Sequence, residues 1–392
     1  MHVAIHTKAL QQGMYIACKG SLVFEIARIS RVADGYVASE ADKQALLAKN
    51  VAAVYIDPKR MLLPYEEADT VESPAVLTRQ SHDAYLKEVE QAAELQESGL
   101  AVAHDLESRV ARGEELPVQE TKEIVRGMIA SMSANRNVMI GLTRLKQWDA
   151  YTYTHCMNVS LYGTLLAKYM GEDDAVAEEI GVSGFFHDIG KLFVPQDIIN
   201  SPGKLTPDQL KIVRKHPQYG ASYSRKIPGL SDTVRLGILE HHERWDGTGY
   251  PDGKRGSSIS QAGRMLLVAD VYDALSSRRS YKPPMSPGDT LSSMYRERGN
   301  TYAPDLLESF IKAIGVYPPG CMVRLSDNSI ALVTEQTAYS LQPRVVILID
   351  ARGEKLDPPR LLDLSREKHL TINGCPVQPQ AIDLQEAVFA AG

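Results

Sequence analysis

Cysteine is scarce in this 392-residue chain: four residues, Cys18, Cys156, Cys321 and Cys375, with no CxxC pair. That excludes a disulfide framework, and a reducing cytoplasm is the expected setting. No apolar run approaches the ~20 residues needed to cross a bilayer. The N-terminus, MHVAIHTKALQQG, lacks the charged-then-apolar pattern of a secretory signal. Positive charge is not in excess either, since 43 Lys and Arg against 49 Asp and Glu leave a formal net charge of −6. Such a balance argues against a DNA or RNA binder but allows a local cationic pocket for one small nucleotide. Internal repeats and low-complexity segments are missing as well.

What remains is ordinary globular material, 44% hydrophobic and 23% charged, in a chain too long for one core. Residues 1–65 alternate short apolar runs (Val3-Ala4-Ile5, Met14-Tyr15-Ile16-Ala17, Ala52-Ala53-Val54-Tyr55-Ile56) with polar turns. Together with a helix-like patch from Glu40 to Lys49 capped by Ser39, they predict a small α+β domain. Residues 66–120 read as an acidic linker and a connecting helix rich in Ala, Leu, Glu and Gln. Residues 121–317 carry helical spacing broken at Pro202-Gly203, Pro228-Gly229, Asp246–Gly256 and Pro283-Pro284, which predicts a helical bundle. Residues 318–392 begin with Pro318-Pro319-Gly320 and hold β-rich runs, predicting a small β-containing appendage. The fold class is therefore mainly α, flanked by two small domains.

Five of the ten histidines fall between positions 155 and 242. Metal sites in helical bundles take side chains from several helices, and the candidates are His155, His187, Asp188, His216, His241, His242 and Asp270. Imidazole with carboxylate suits iron, manganese, zinc or a related ion rather than a thiolate-loving one. Seven ligands exceed the needs of one ion, so two ions sharing a bridging carboxylate, Asp188, are expected. Two ions ~3.5–4 Å apart can activate a water and polarise a phosphoryl oxygen, which is equipment for phosphoester hydrolysis. Asp270 lies in the apolar run Leu266–Val271, where an unpaired carboxylate would cost several kcal/mol, so a cation partner is expected. The pairs His82-Asp83 and His104-Asp105 lie in polar helical sequence without neighbouring histidines and are assigned to solvated faces.

Phe186-His187-Asp188-Ile189-Gly190-Lys191 and His241-His242-Glu243-Arg244-Trp245-Asp246-Gly247-Thr248-Gly249-Tyr250-Pro251 resemble the two signature motifs of HD-GYP phosphodiesterases. These form a branch of the HD metallohydrolase superfamily acting on bacterial cyclic dinucleotides. The likeness continues through Asn200–Thr206, Lys215-His216-Pro217 and Ala269–Leu275 and covers about 150–315. Gly13-Met14-Tyr15 and Val54-Tyr55-Ile56-Asp57 resemble the small domain often found ahead of such modules.

The resemblance implies that the same seven residues hold metal, two ions of iron or manganese. It implies that Lys191, three residues from Asp188, meets a substrate phosphate, and that Arg279 and Lys282 meet the second one. Gly249, Tyr250 and Pro251 would shape the pocket lip, with Gly247 and Gly249 supplying turn conformations. The chain departs from the family at Tyr151, where a subset has a glutamate that adds a third metal. Other departures are Ser280, which replaces a proline, and Tyr302-Ala303-Pro304, where Phe-Asp-Pro is usual and whose missing aspartate puts a helix-capping interaction in doubt. The implied function is hydrolysis of cyclic di-GMP to linear pGpG; a second cut to GMP is the alternative outcome, to which a two-metal centre is less suited. The rivals are a mixed cyclic dinucleotide such as cyclic GMP-AMP as substrate, or a non-catalytic nucleotide receptor. Signalling proteins contacted through the N-terminal domain, and a homodimer, are the expected partners.

Overall fold

Apolar positions three or four residues apart recur along 86–145, and in the computed structural model they become the long helices on which the bundle is built. The structure describes residues 3–6, 15–16, 36–37, 53–56, 79–145, 151–201, 203–277, 284–367 and 369–375. The chain divides into two compact units, 1–78 and 79–392.

In the first unit, four strands, β1 (Val3–His6), β2 (Tyr15–Ile16), β3 (Tyr36–Val37) and β4 (Ala53–Ile56), form a sheet in the order β1-β4-β2-β3. The described pairings are antiparallel, with Val3 opposite Ile56 and Tyr15 opposite Val37. The runs singled out around Tyr15 and Val54 lie in β2 and β4. The expected helix Glu40–Lys49 and the linker up to 78 lie outside the described residues.

The second unit opens with α1 (Arg79–Arg112) and α2 (Val118–Leu145). The segment to 120, expected as a linker and connecting helix, is from Arg79 onward part of the bundle. Val89, Ala92, Leu100, Ala103 and Leu106 of α1 are buried in one core with Val125, Met128 and Ile140 of α2. Their spacing gives α1 an apolar stripe, and its polar composition is the opposite, solvated face. Helix α2 breaks at Asn135, whose side-chain oxygen accepts from the Asn137 backbone N–H at 3.0 Å, a local bond that competes with the helical ladder.

The helices α3 (Tyr151–Tyr169), α4 (Asp174–Phe186), α5 (Gln196–Ile199), α6 (Pro207–Val213), α7 (His216–Ser224), α8 (Asp232–Glu240) and α9 (Gln261–Ser276) follow, with a 3-10 turn over Ile189–Phe193. They are closed by α10 (Pro287–Arg296) and α11 (Pro304–Ile314). Serine oxygens cap α8 (Ser231) and α9 (Ser260), fixing where the site-bearing helices begin. Helix α11 starts at Ala303 with no side-chain cap, the consequence expected of the missing aspartate there. Fully buried Phe185, Phe186, Tyr162, Tyr272 and Phe310 fill the bundle centre, each contributing about 1.5–3 kcal/mol by burial.

Beyond it, β5 (Met322–Leu325), β6 (Ile330–Glu335), β7 (Arg344–Ile349), β8 (Lys355–Asp363) and β9 (Ile372–Gly374) form an antiparallel sheet in the order β8-β7-β6-β5-β9. Ala331 and Val333 point to one apolar cluster and Ile330 and Leu332 to the other, the period of two expected of a strand covered on both faces. The sheet meets the bundle through Gln336, which donates to the Ile314 carbonyl at 2.5 Å. No helix among the described residues is long and apolar enough to cross a membrane.

Candidate metal centre

The final carbonyls of an α-helix lack partners within it. This chain uses three such ends in the same way. His187, just past α4, donates from Nδ1 to the Gly184 carbonyl at 2.7 Å. His216, three residues past α6, donates to Val213 at 2.8 Å, and His241, just past α8, donates to Ile238 at 2.8 Å. Each bond fixes the tautomer and leaves Nε2 as a bare lone pair.

Those lone pairs converge. His216 Nε2 and His241 Nε2 stand 3.2 Å apart, and with both Nδ1 atoms protonated neither can donate to the other. Asp188 Oδ1 lies 3.3 Å from His216 Nε2 and 3.8 Å from His241 Nε2, while Oδ2 lies 3.2 Å from His187 Nε2 and 3.9 Å from His155 Nε2. His187 Nε2 and Asp188 Oδ1 are buried and make no hydrogen bond, a defect of about 1–3 kcal/mol each that a cation removes. The residues therefore fit a divalent ion.

Two groups meet the spacing of a single ion, with ligand atoms within 4.8 Å of one another: Asp188, His216, His241 and His242, and His155, His187 and Asp188. Asp188 belongs to both. Asp270 borders both, with Oδ1 at 3.2 Å from His155 Nε2 and Oδ2 at 3.8 Å from His242 Nδ1. All seven residues singled out in the sequence thus come together, although helix positions 155 and 270 are far apart in the chain.

Electrostatics agree with a cation-binding centre. Burial works against ionisation of Asp188, yet His187 and Lys191 beside it hold its carboxyl well below the usual range. Burial and the neighbouring imidazoles depress His241, and burial brings His242 down to about 3, so both stay neutral and able to ligate. His155 differs: burial opposes its charge, but hydrogen bonds to Asp270 and Asp273 push it up to about 10. Ion uptake at that end therefore releases a proton. Lys191 is desolvated, but Asp188 raises it, so it remains an ammonium, 2.5 Å from Asp188 Oδ2. The three-residue offset from Asp188 to Lys191 runs through the 3-10 turn rather than an α-helix, and i, i+3 side chains eclipse there.

Three functional carboxylates are not evident from the sequence. Asp273, on α9 three residues after Asp270, accepts from His155 Nδ1 at 2.7 Å, Asn158 Nδ2 at 2.7 Å and Ser277 Oγ at 2.8 Å. The available signal is a second carboxylate at i+3 in an apolar helix. We expect Asp273→Asn to weaken metal affinity about 10–100-fold by losing the carboxylate that orients His155. Competition with a chelator measures this, and unchanged affinity would rule the orienting role out. Glu243, fully buried, accepts from the backbone N–H groups of Asp252 (2.7 Å) and Lys254 (3.0 Å). Glu240 accepts from the Lys254 ammonium and from Ser260 N at 2.6 Å. Both carboxylates tie the loop 244–260 to the end of α8.

That loop lays Tyr250 over the centre, 4.7 Å from the His242 ring and 6.5 Å from the His216 ring. Gly247 takes the expected left-handed backbone at φ 80°. Gly249 is needed for a different reason: a Cβ there would lie 2.3 Å from Arg244 N and 2.5 Å from the His242 carbonyl. It is a site of close approach that folds the loop back onto the histidines. Arg279, Lys282 and Ser280 lie outside the described residues, as does the side chain of Tyr151. Of the two remaining His-Asp pairs, His104 is exposed and Asp105 pairs with Arg109 at 2.6 Å, as expected of a solvated face. The side chains of His82 and Asp83 are outside the described set.

The HD domain family matches residues 133–306, a KOW domain associated with HD domains matches 322–384, and a domain of unknown function matches 2–141. A cyclic di-GMP phosphodiesterase of Pseudomonas aeruginosa is 36% identical over 84% of this chain and 81% of its own length. The chain belongs to the HD-GYP family. A 3′3′-cGAMP-specific phosphodiesterase of Vibrio cholerae is 34% identical over 41% of this chain and 31% of that protein. Among solved structures, a Bdellovibrio bacteriovorus protein described as HDG"Y"P aligns over 80% of this chain and 99% of its own, with TM-score 0.48 and 16% identity.

Proposed function

We propose that the chain is a metal-dependent phosphodiesterase that hydrolyses cyclic di-GMP to linear pGpG. The observation that carries this reading is Asp188, whose two oxygens face separate groups of imidazoles with an ammonium at its side. Two ions, iron or manganese, held by His155, His187, Asp188, His216, His241, His242 and Asp270 would supply Lewis acidity and an activated water. Lys191 donates to a non-bridging oxygen of the scissile phosphate, where negative charge grows in the transition state. Tyr250, over His242 and His216, shields that side of the reaction from bulk water, with Gly249 and Pro251 setting its place in the lip. Arg279 and Lys282 take the second phosphate. The strand-rich N-terminal region is assigned to contacts with other signalling proteins, and the setting to the cytoplasm.

The test is anaerobic purification with metal analysis, followed by chromatography of products from cyclic di-GMP and from 3′3′-cGAMP in parallel. Linear pGpG with a higher kcat/KM for cyclic di-GMP is expected. A higher value for 3′3′-cGAMP would overturn the substrate assignment. Binding without turnover across iron, manganese, zinc and magnesium would make the chain a receptor.

A further inference from the structure

Several cations on the elements that carry the centre are already engaged. Lys191 is held by Asp188, Lys254 by Glu240, Arg235 by Asp232 at 2.7 Å, and Arg244 by Thr301 with Glu297 at 3.6 Å. Arg214 is different. Among the described residues its guanidinium has no carboxylate within ion-pair distance, and its side-chain partner is the Tyr250 ring, 5.3 Å from Cζ to the centroid. Its backbone is firmly placed, closing α6 with N–H donated to Leu210 at 2.9 Å, two residues before His216. The same Tyr250 ring lies over His242 and near His216, so the guanidinium is tied to the mouth of the centre through one aromatic side chain.

A guanidinium resting on an aromatic ring keeps its in-plane N–H fork available. An ion-paired arginine would have spent that fork on a carboxylate; here it is exposed and directed by its neighbours only through the ring. A phosphate would also take that fork, but in the function proposed above the scissile phosphate already has Lys191 and the second has Arg279 and Lys282. A purine edge needs paired in-plane donors, and Arg214, resting over the ring that covers His242, supplies them. Guanine offers N7 and O6 as paired acceptors, whereas adenine places an N6–H₂ donor where O6 would be.

We propose that Arg214, braced on Tyr250, is a specificity-determining residue that donates its fork to the N7/O6 edge of one guanine of the bound cyclic dinucleotide. The assignment rests on the function proposed above and adds the group that separates guanine from adenine.

The test uses the metal-loaded full chain as wild type, Arg214→Ala and Arg214→Lys, with equal metal content verified first. KM is measured for cyclic di-GMP, and cyclic di-AMP is read as an inhibitor of that turnover. Arg214→Ala is expected to raise KM for cyclic di-GMP about tenfold or more, while the inhibition constant of cyclic di-AMP moves less than about twofold. Arg214→Lys, which keeps the charge but loses the fork, should not restore KM. Equal losses for both nucleotides, rescue by lysine, or no loss at all would each overturn the guanine contact alone. Absence of wild-type turnover on cyclic di-GMP would remove the function and this contact together.

Discussion

Asp188→Ala is expected to lower kcat/KM for cyclic di-GMP by at least about a thousandfold, equivalent to about 4 kcal/mol of transition-state stabilisation. The reason is geometric. Asp188 is the one residue common to both candidate ion groups, so its loss removes a ligand from each and frees the Lys191 ammonium from its 2.5 Å partner. Metal analysis of the purified variant should show less than the wild-type complement. Because a truncated side chain leaves a gap into which buried imidazoles can repack, Asp188→Asn serves as a second variant that keeps the shape and one oxygen. A near-native circular dichroism spectrum with lost metal and lost activity supports the bridge. Retention of both metal and a tenth of the activity in either variant would count against it.

The second large effect is expected at Gly190, in the 3-10 turn after Asp188. A Cβ there would lie 1.9 Å from the His216 carbonyl oxygen and 2.6 Å from Gly220 N, both backbone atoms that cannot rotate aside. This contact between the 3-10 turn and α7 is what sets Asp188 against His216 at 3.3 Å. Gly190→Ala must therefore push α7 away, with overpacking costing about 1–3 kcal/mol and the second ion group opened. At Gly203 nothing lies within 4 Å of the same added atom, so Gly203→Ala is the matched control. A lowered melting temperature and reduced metal content in the first, with neither in the second, is the expected pair of results. Equal behaviour of the two would show that the turn-to-helix contact is not what assembles the centre.

These two positions also show how much of the site is legible without coordinates. The seven candidate ligands stand out because imidazole and carboxylate in apolar helical sequence are costly to bury without a cation, and the flanking residues separate His187-Asp188 from His104-Asp105. A shared ligand follows from counting ligands against what one ion needs, and Asp188 is chosen for it because a carboxylate has two oxygens with which to bridge. Asp273 is not legible in the same way. Its partners, His155 and Asn158, are 118 and 115 residues away in sequence, and only the packing of α9 against α3 brings them within 2.7 Å. Glu240 and Glu243 are hidden for a related reason: buried carboxylates satisfied by loop N–H groups look in sequence like ordinary charged residues beside a motif.

The fold shows the same division. Helical spacing and Pro-Gly breaks predict the bundle and its connections, because period and turn chemistry are local. Helix α1 reads as a connector because its polar face dominates its composition. Its narrow stripe of Val89, Ala92, Leu100, Ala103 and Leu106 acquires meaning only against α2. Gly249 reads as a turn residue, whereas its requirement comes from the Arg244 and His242 backbone pressing against it.

The most direct measurement of the central claim is cyclic di-GMP turnover as a function of metal bound per chain, with apo protein titrated anaerobically and the product identified as linear pGpG. An Asp188-bridged pair of ions predicts negligible turnover up to one ion per chain and a rise as the second binds, reaching its plateau at two. Full activity at one ion per chain, or turnover in metal-free protein, would contradict it.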